Sequence, residues 1–264
     1  MSAHLALNLF ALLSLVPAAL SPLRANKGRD GATVGALALA AAGSATFAGL
    51  LLSGAWQTDL GTTVWVSIAA SAILFTAIAV STRQGWRLAP LLMPYLIVMG
   101  VLASVVRGAP KPMVGGAPAV WLDAHIIVSV LTYALLTLAA VASLGVFLQE
   151  RALKTKHPTR LTRILPSVLD GERLADRLLL ASEVVLGVGI ATGMATQYFE
   201  TGALLVADHK TLLSLVAFAL IGVLLAGHRV CGVRGRLAAR VVLVSYLLLT
   251  LAFPGVKFVT QVLL

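Results

Sequence analysis

The chain contains one cysteine, Cys231, so an intrachain disulfide and a CxxC metal or redox pair are both excluded. Charge is also scarce. Only 11% of the 264 residues are Asp, Glu, Lys or Arg, where a water-soluble domain carries about a quarter. Walker A, HExxH and GxSxG motifs are missing, and no run of Asp or Glu lies within an apolar block. Those absences remove most support for nucleotide-driven, hydrolytic and ion-pumping enzymes. No Lys or Arg precedes the first apolar run, so residues 1–20 lack the basic start of a cleaved leader and read as a retained helix.

What is present is apolar: 59% of residues are hydrophobic. They are gathered in blocks that approach the ~20 residues needed to cross a bilayer. A spanning segment must satisfy its own backbone, as a helix or as a strand of a closed barrel. Barrel strands alternate apolar and polar side chains. Runs such as 34–52 and 178–193 do not alternate. The expected fold is therefore an all-α, polytopic membrane bundle, one transmembrane domain over 1–264. The blocks predict about eight helices, at 2–21, 34–53, 63–82, 89–106, 123–149, 174–198, 208–228 and 240–260.

The net charge of +10 does not point to nucleic acid, because the cations sit in short loops. Loops 22–33, 83–88, 150–173 and 229–239, with the adjoining helix ends, hold 16 of the 20 Lys and Arg residues. The other face holds Arg107, Lys111, Lys210 and Lys257. By the positive-inside rule the first set is cytoplasmic. An even helix count then places both termini outside a bacterial inner membrane. The long basic loop 150–173 suits the surface of an anionic leaflet.

Local signals agree with this layout. Gly31 follows Asp30 ahead of the second helix, and Pro90 fits the first turn of the fourth. Asp170 is the expected cap of the sixth, with Glu172 in its first turn. Trp56, Trp65 and Trp121 read as an outer aromatic belt and Trp86 as an inner one. Gly189 and Gly193 form a GxxxG, which reads first as a helix-packing face.

There are five histidines, His4, His125, His157, His209 and His228. His125 and His209 open the fifth and seventh helices at the outer surface. His228 lies 19 residues beyond His209, roughly 28 Å along a helix, so one metal cannot bind both. Two histidines at one depth on separate helices can bind haem iron from opposite faces as neutral imidazoles. His125 and His209 meet that condition. Lys210, Arg107 and Lys111 are cations for its propionates, and Asp123 or Asp208 could orient an imidazole. The competing reading makes each histidine an interfacial anchor. His228 with Arg229 reads as a basic helix end, His157 as a solvated loop residue, and His4 as part of a terminus. Glu183 is a carboxylate inside an apolar run, where it either has a role or bonds, protonated, between helices.

The C-terminal half resembles a known family. AHIIVSVLTYALLTLAAVASLGVFLQE is similar to the histidine-led helix of the cytochrome c assembly family of CcsA-like haem-handling membrane proteins. LPSVLDGERLADRLLLASEVVLGVGIATGM resembles the linker and next helix of its shorter, eight-helix YpjD- and HemX-like branch. His209, Lys210 and Thr211 then match a His-Lys-Thr helix start. Gly232, Arg234, Gly235 and Arg236 match a following Gly-x-Arg-Gly-Arg turn. The likeness covers about 121–264, whereas 1–120 match in helix count and spacing alone.

The resemblance implies haem binding at the outer surface during cytochrome c maturation. His125 corresponds to an external histidine and His228 to an inner-site histidine of the larger family members. Those members also carry a tryptophan-rich WWD segment. The equivalent stretch QYFETGALLVADHK has no tryptophan, and His209 is the expected second ligand. The function expected from all of this is a haem-binding assembly factor rather than a catalyst. It has b-type haem as cofactor, and lipid, haem and an apocytochrome c or another assembly protein as partners. Two alternatives stand beside it. One is a cofactor-free accessory subunit that regulates a metal transporter or a tetrapyrrole-synthesis enzyme. The other is a small transporter coupled through Glu183.

Overall fold

The structure, a computed structural model, describes residues 2–23, 30–53, 59–106, 117–206 and 208–255. Among the described residues there is no strand. The helices are α1 (Ser2–Leu20), α2 (Gly31–Leu51), α3 (Leu60–Ser81), α4 (Ala89–Val105), α5 (Ala119–Thr155), α6 (Arg160–Ile164), α7 (Val168–Thr201), α8 (His209–Val230) and α9 (Arg236–Thr250). Short 3-10 turns occupy Ser21–Leu23 and Gly85–Leu88, and a π-helical turn, Leu251–Gly255, extends α9. Among the described residues, seven helical segments are long and apolar enough to cross a bilayer, with α4 and α9 counted together with their adjoining turns, and α1 adds a shorter apolar stretch, Leu5–Leu20. The chain is an all-α polytopic membrane protein.

Several helix starts follow from one side chain each. Asp30, Asp59 and Asp208 precede α2, α3 and α8 in extended backbone, and each carboxylate accepts the amide three residues on, from Thr33, Thr62 and Thr211. Such caps satisfy amides that lack a partner inside the helix. Pro90 lies in the first turn of α4, as expected. Asp170 does not cap α7. That role falls to Ser167, whose hydroxyl accepts the Asp170 amide at 3.2 Å and donates to the Asp170 carboxylate at 2.7 Å.

Two helices exceed the expected bounds. α5 has 37 residues and α7 has 34. Hydropathy locates only the part that lies in lipid. The flanking segments QERALKT and VLDGERLADR are rich in good helix formers and continue the helix into water. At ~1.5 Å per residue, α5 is about 55 Å long, well beyond a ~30 Å hydrocarbon layer. The expected long loop is shortened further by α6, which opens with a reciprocal cap between Thr159 and Thr162. The Gln149 amide group donates to the carbonyls of Thr162 and Pro166, at 2.6 and 3.1 Å, and so ties the α6 segment to the end of α5.

The chain divides into two compact units, Met1–Pro112 with Gly145–Gly171, and Met113–Leu144 with Glu172–Leu264. In the first unit α1 packs on α2 and α4, and α3 packs on the same two. Its seams use small and hydroxyl side chains. Ser104 donates to the Asn8 amide oxygen at 2.9 Å, and Thr76 reaches the Leu37 carbonyl at 3.2 Å. Trp65 is wholly buried, with its ring edge-on to Phe47 at 4.9 Å. It is a core side chain and not the headgroup anchor that its position suggested. Trp121 is exposed, Trp86 carries the Arg87 guanidinium 5.6 Å from its ring, and Trp56 lies outside the described residues.

The second unit joins α8 and α9 to the parts of α5 and α7 that belong to it. Between α8 and α9 the backbone turns through Gly232 and Gly235, with φ of 64° and 68°. Side chains with a Cβ rarely adopt that region, which accounts for both glycines of the Gly-x-Arg-Gly-Arg turn. The Gly235 amide donates to Glu172 at 3.1 Å, which fixes the turn against α7.

Candidate functional site

A cavity of about 400 Å³ lies within the second unit, between α5, α7, α8 and the end of α9. Leu122, Leu186, Ile190, Leu215, Leu249 and Phe253 supply much of its apolar wall. Its polar groups include His125, Tyr133, Gln197, Glu200, Asp208 and Lys210. An apolar hollow with a few convergent polar groups is the usual form of a ligand site.

His125 is held from α7. Its Nδ1 lies 3.2 Å from the Gly189 carbonyl oxygen and 3.2 Å from the Thr192 hydroxyl. Its Nε2 makes no hydrogen bond among the described residues. The ring rests on Gly193, where a Cβ would come within 3.0 Å of Cε1. Gly189 is less confined, since a Cβ there would meet Val128 at 3.4 Å, an ordinary packing contact. The GxxxG is thus a packing face, but the object that it packs against α7 includes the imidazole. Motif spacing alone gave no sign of that link.

Tyr133 contributes a second polar group. Its hydroxyl lies 3.1 Å from the Tyr246 hydroxyl and 3.4 Å from that of Thr250, and its ring is 6.0 Å from Phe253.

The other sequence candidates are dispersed. His209 is exposed on the first turn of α8, while its neighbours Asp208, Lys210 and Thr211 line the cavity. The expected meeting of His125 and His209 rings is therefore not a feature of the cavity wall. Asp208 uses its carboxylate to cap α8, and the orienting role foreseen for it or for Asp123 is filled by Gly189 and Thr192. Arg107, Lys111 and Lys257 lie outside the described residues, as does the side chain of His4. His157 is exposed between α5 and α6.

His228 sits at the far end of α8, mostly buried, with Nδ1 2.9 Å from an Asp176 oxygen. The contact lacks hydrogen-bond alignment, and Nε2 is buried without a partner among the described residues. Glu183 lies between these two regions on α7. One oxygen is 3.1 Å from where a Cβ on Gly222 would stand, and the other is buried and unpartnered among the described residues. Among the described residues no group of three His, Cys, Asp or Glu side chains could hold a bare metal ion.

Asp208 has a pH consequence. Burial pushes its carboxyl up, but Thr211 together with the Lys210 and His209 charges outweighs this and holds it below its ordinary 3.8. A depressed carboxyl stabilises the fold at pH values above the ordinary one and loses that contribution as pH falls through the lowered value. Asp208→Ala is therefore expected to cost about 1 kcal/mol near neutrality, as lost caps do. The difference from wild type should shrink in thermal melts taken below pH 3.8. A difference that is independent of pH would remove this account.

A family model described as Cytochrome C assembly protein matches residues 31–264. The chain belongs to the cytochrome C assembly protein family. The match extends through α2, α3 and α4, beyond the stretch in which the sequence likeness could be seen by motif. Over the whole of both chains it is 57% identical to a 28.8 kDa protein in the nifR3-like 5' region of Azospirillum brasilense. It is 27% identical to the inner membrane protein YpjD of Escherichia coli K12, across 70% of this chain and 69% of that one. No solved structure matches it. Within the cytochrome C assembly proteins, this chain is thus a multi-pass member with a cavity built around one histidine.

Proposed function

We propose that this protein binds haem in the cavity of its second unit and handles it for cytochrome c assembly, with His125 as an axial ligand. The observation that carries the reading is the His125 ring itself. Its Nδ1 is occupied by α7, its Nε2 has no hydrogen-bond partner among the described residues, and it lines an apolar cavity. Haem ligation needs such an imidazole, with its other nitrogen bonded to a carbonyl or similar acceptor. When bound, the iron supplies one-electron chemistry whose potential the axial ligands set.

The remaining residues have definite parts in this reading. The leucines, Ile190 and Phe253 exclude water from the flat apolar guest. Lys210 pairs with a propionate. Glu200 and Asp208 stand at the same cavity, so charge contributes less to binding than ligation and apolar contact do. His209, exposed beside Lys210, would be the second residue to hold the iron. His228, beside Asp176, would belong to a separate inner haem site at the other end of α8. The protein resides in the inner membrane, in keeping with its likeness to the inner membrane protein YpjD. Its basic loops face the cytoplasm, and its termini and the cavity face outward.

The test is direct. Protein purified from cells supplied with ample haem precursor should carry a Soret band at close to one haem per chain. Protein that stays spectrally blank under those conditions, and does not take up added haem, rejects the reading. Stable co-purification of a partner subunit by such a blank protein would favour the accessory role instead.

A further inference from the structure

We propose that Gly189, Thr192 and Gly193 of α7 form a seat that fixes His125 as its Nδ1–H tautomer, leaving Nε2 as the lone-pair nitrogen at the cavity. A carbonyl oxygen can only accept. With the Gly189 oxygen 3.2 Å from Nδ1, an unprotonated Nδ1 would set two lone pairs against each other. The Thr192 hydroxyl points to the same assignment. It has a single proton, and two helix carbonyls, those of Val188 and Gly189, lie 3.0 Å from its oxygen. Donating to either leaves that oxygen as an acceptor facing Nδ1 at 3.2 Å. Both contacts therefore ask for the same proton on the same nitrogen.

Gly193 supplies the third restraint. The ring lies so close that a Cβ would stand 3.0 Å from Cε1 and 3.5 Å from Nδ1. A Cβ there would press the imidazole outward by a few tenths of an ångström, away from the depth at which Nδ1 reaches both oxygens. The seat thus sets rotamer, depth and tautomer together. All three residues are positioning residues that act through His125. The tautomer follows from this chain's own atoms, and only its consequence for ligand strength rests on the haem reading above. A bonded Nδ1–H makes the opposite nitrogen a stronger donor, and loss of such a partner typically lowers metal affinity by about 10–100-fold.

Two measurements test the seat. The first needs no haem. In ¹⁵N-histidine-labelled full-length protein in detergent, the His125 signals are identified by their disappearance in His125→Ala. They should show a protonated Nδ1 and an unprotonated Nε2 near neutral pH. The reverse pattern, or an averaged pair, overturns the proposal. Gly193→Ala should move these signals away from wild type, and unchanged signals would likewise overturn it. The second uses haem-loaded protein. Thr192→Val should release haem to an apo-globin acceptor about tenfold faster, while Thr192→Ser, which keeps the hydroxyl, should stay near wild type. Release from Thr192→Val at the wild-type rate overturns the seat while leaving haem binding intact. A blank haem spectrum together with the expected ¹⁵N pattern rejects the haem reading and upholds the seat.

Discussion

Replacing His125 by alanine is expected to abolish the Soret band of the purified protein while leaving its helices and its melting behaviour nearly unchanged. The two halves of this expectation have separate causes. The imidazole lines a cavity, so its removal enlarges an existing hollow and creates no new buried void. Its partners also survive without it. The Gly189 carbonyl lies in mid-helix, and the Thr192 hydroxyl keeps its own bonds to helix carbonyls 3.0 Å away. Loss of ligation, by contrast, should exceed the ~10–100-fold that removal of a mere supporting partner costs. Free imidazole fits the space vacated above Gly193 and should restore part of the band. The same rescue is expected for His209→Ala if that side chain is the second ligand, whereas His228→Ala should leave this site's spectrum intact. A His125→Ala protein that retains the full wild-type spectrum would remove the cavity from the function.

Those expectations rest on a division between what sequence could and could not tell. Helix identity was legible because lipid forces apolar residues into blocks. The capping role of Asp208 was not, because an Asp beside a histidine suits an orienting role equally well in sequence. Helix ends on α5 and α7 were not legible. A charged helix extending into water has no hydropathy signature, and hydropathy was the guide. Asp170 misled because a carboxylate serves a helix start both as cap and at the third residue, and only the geometry of Ser167 separates the two. Trp65 misled for a related reason. Depth in the membrane is readable from position, but whether a side chain faces lipid or core depends on which helix stands beside it. At the site, His125 was found by its place at the head of a helix. The α7 residues that hold it were visible only as a packing motif, because a histidine and its acceptors 64 and 67 residues away share no pattern in one sequence. His209 lies exposed beside the cavity rather than in its wall, because equal depth does not fix the azimuth of a ring.

Azimuth decides the second large effect, which lies in the first unit. Gly43→Val is expected to destabilise the folded protein by about 1–3 kcal/mol, the usual cost of overpacking a filled contact. A Cβ at Gly43 would stand 2.5 Å from the Ser14 Cβ and overlap the Ser14 hydroxyl outright. Rotamer choice cannot relieve a clash between two β-carbons, so α1 and α2 would have to separate. The seam has little to give, since Ala11, Ala18, Ala40 and Ser44 are all wholly buried. Between helices in lipid no hydrophobic gain offsets such a separation, and close contact of small residues is itself what holds them. The expected readout is a lower melting temperature and a lower yield in detergent. The diagnostic variant is the pair Ser14→Gly with Gly43→Ala. Gly43→Ala alone should destabilise, and Ser14→Gly should recover most of that loss by vacating the space. Neighbours in direct contact couple by about 0.5–3 kcal/mol. Strict additivity of the two changes would mean that α1 does not lie against α2 at Gly43.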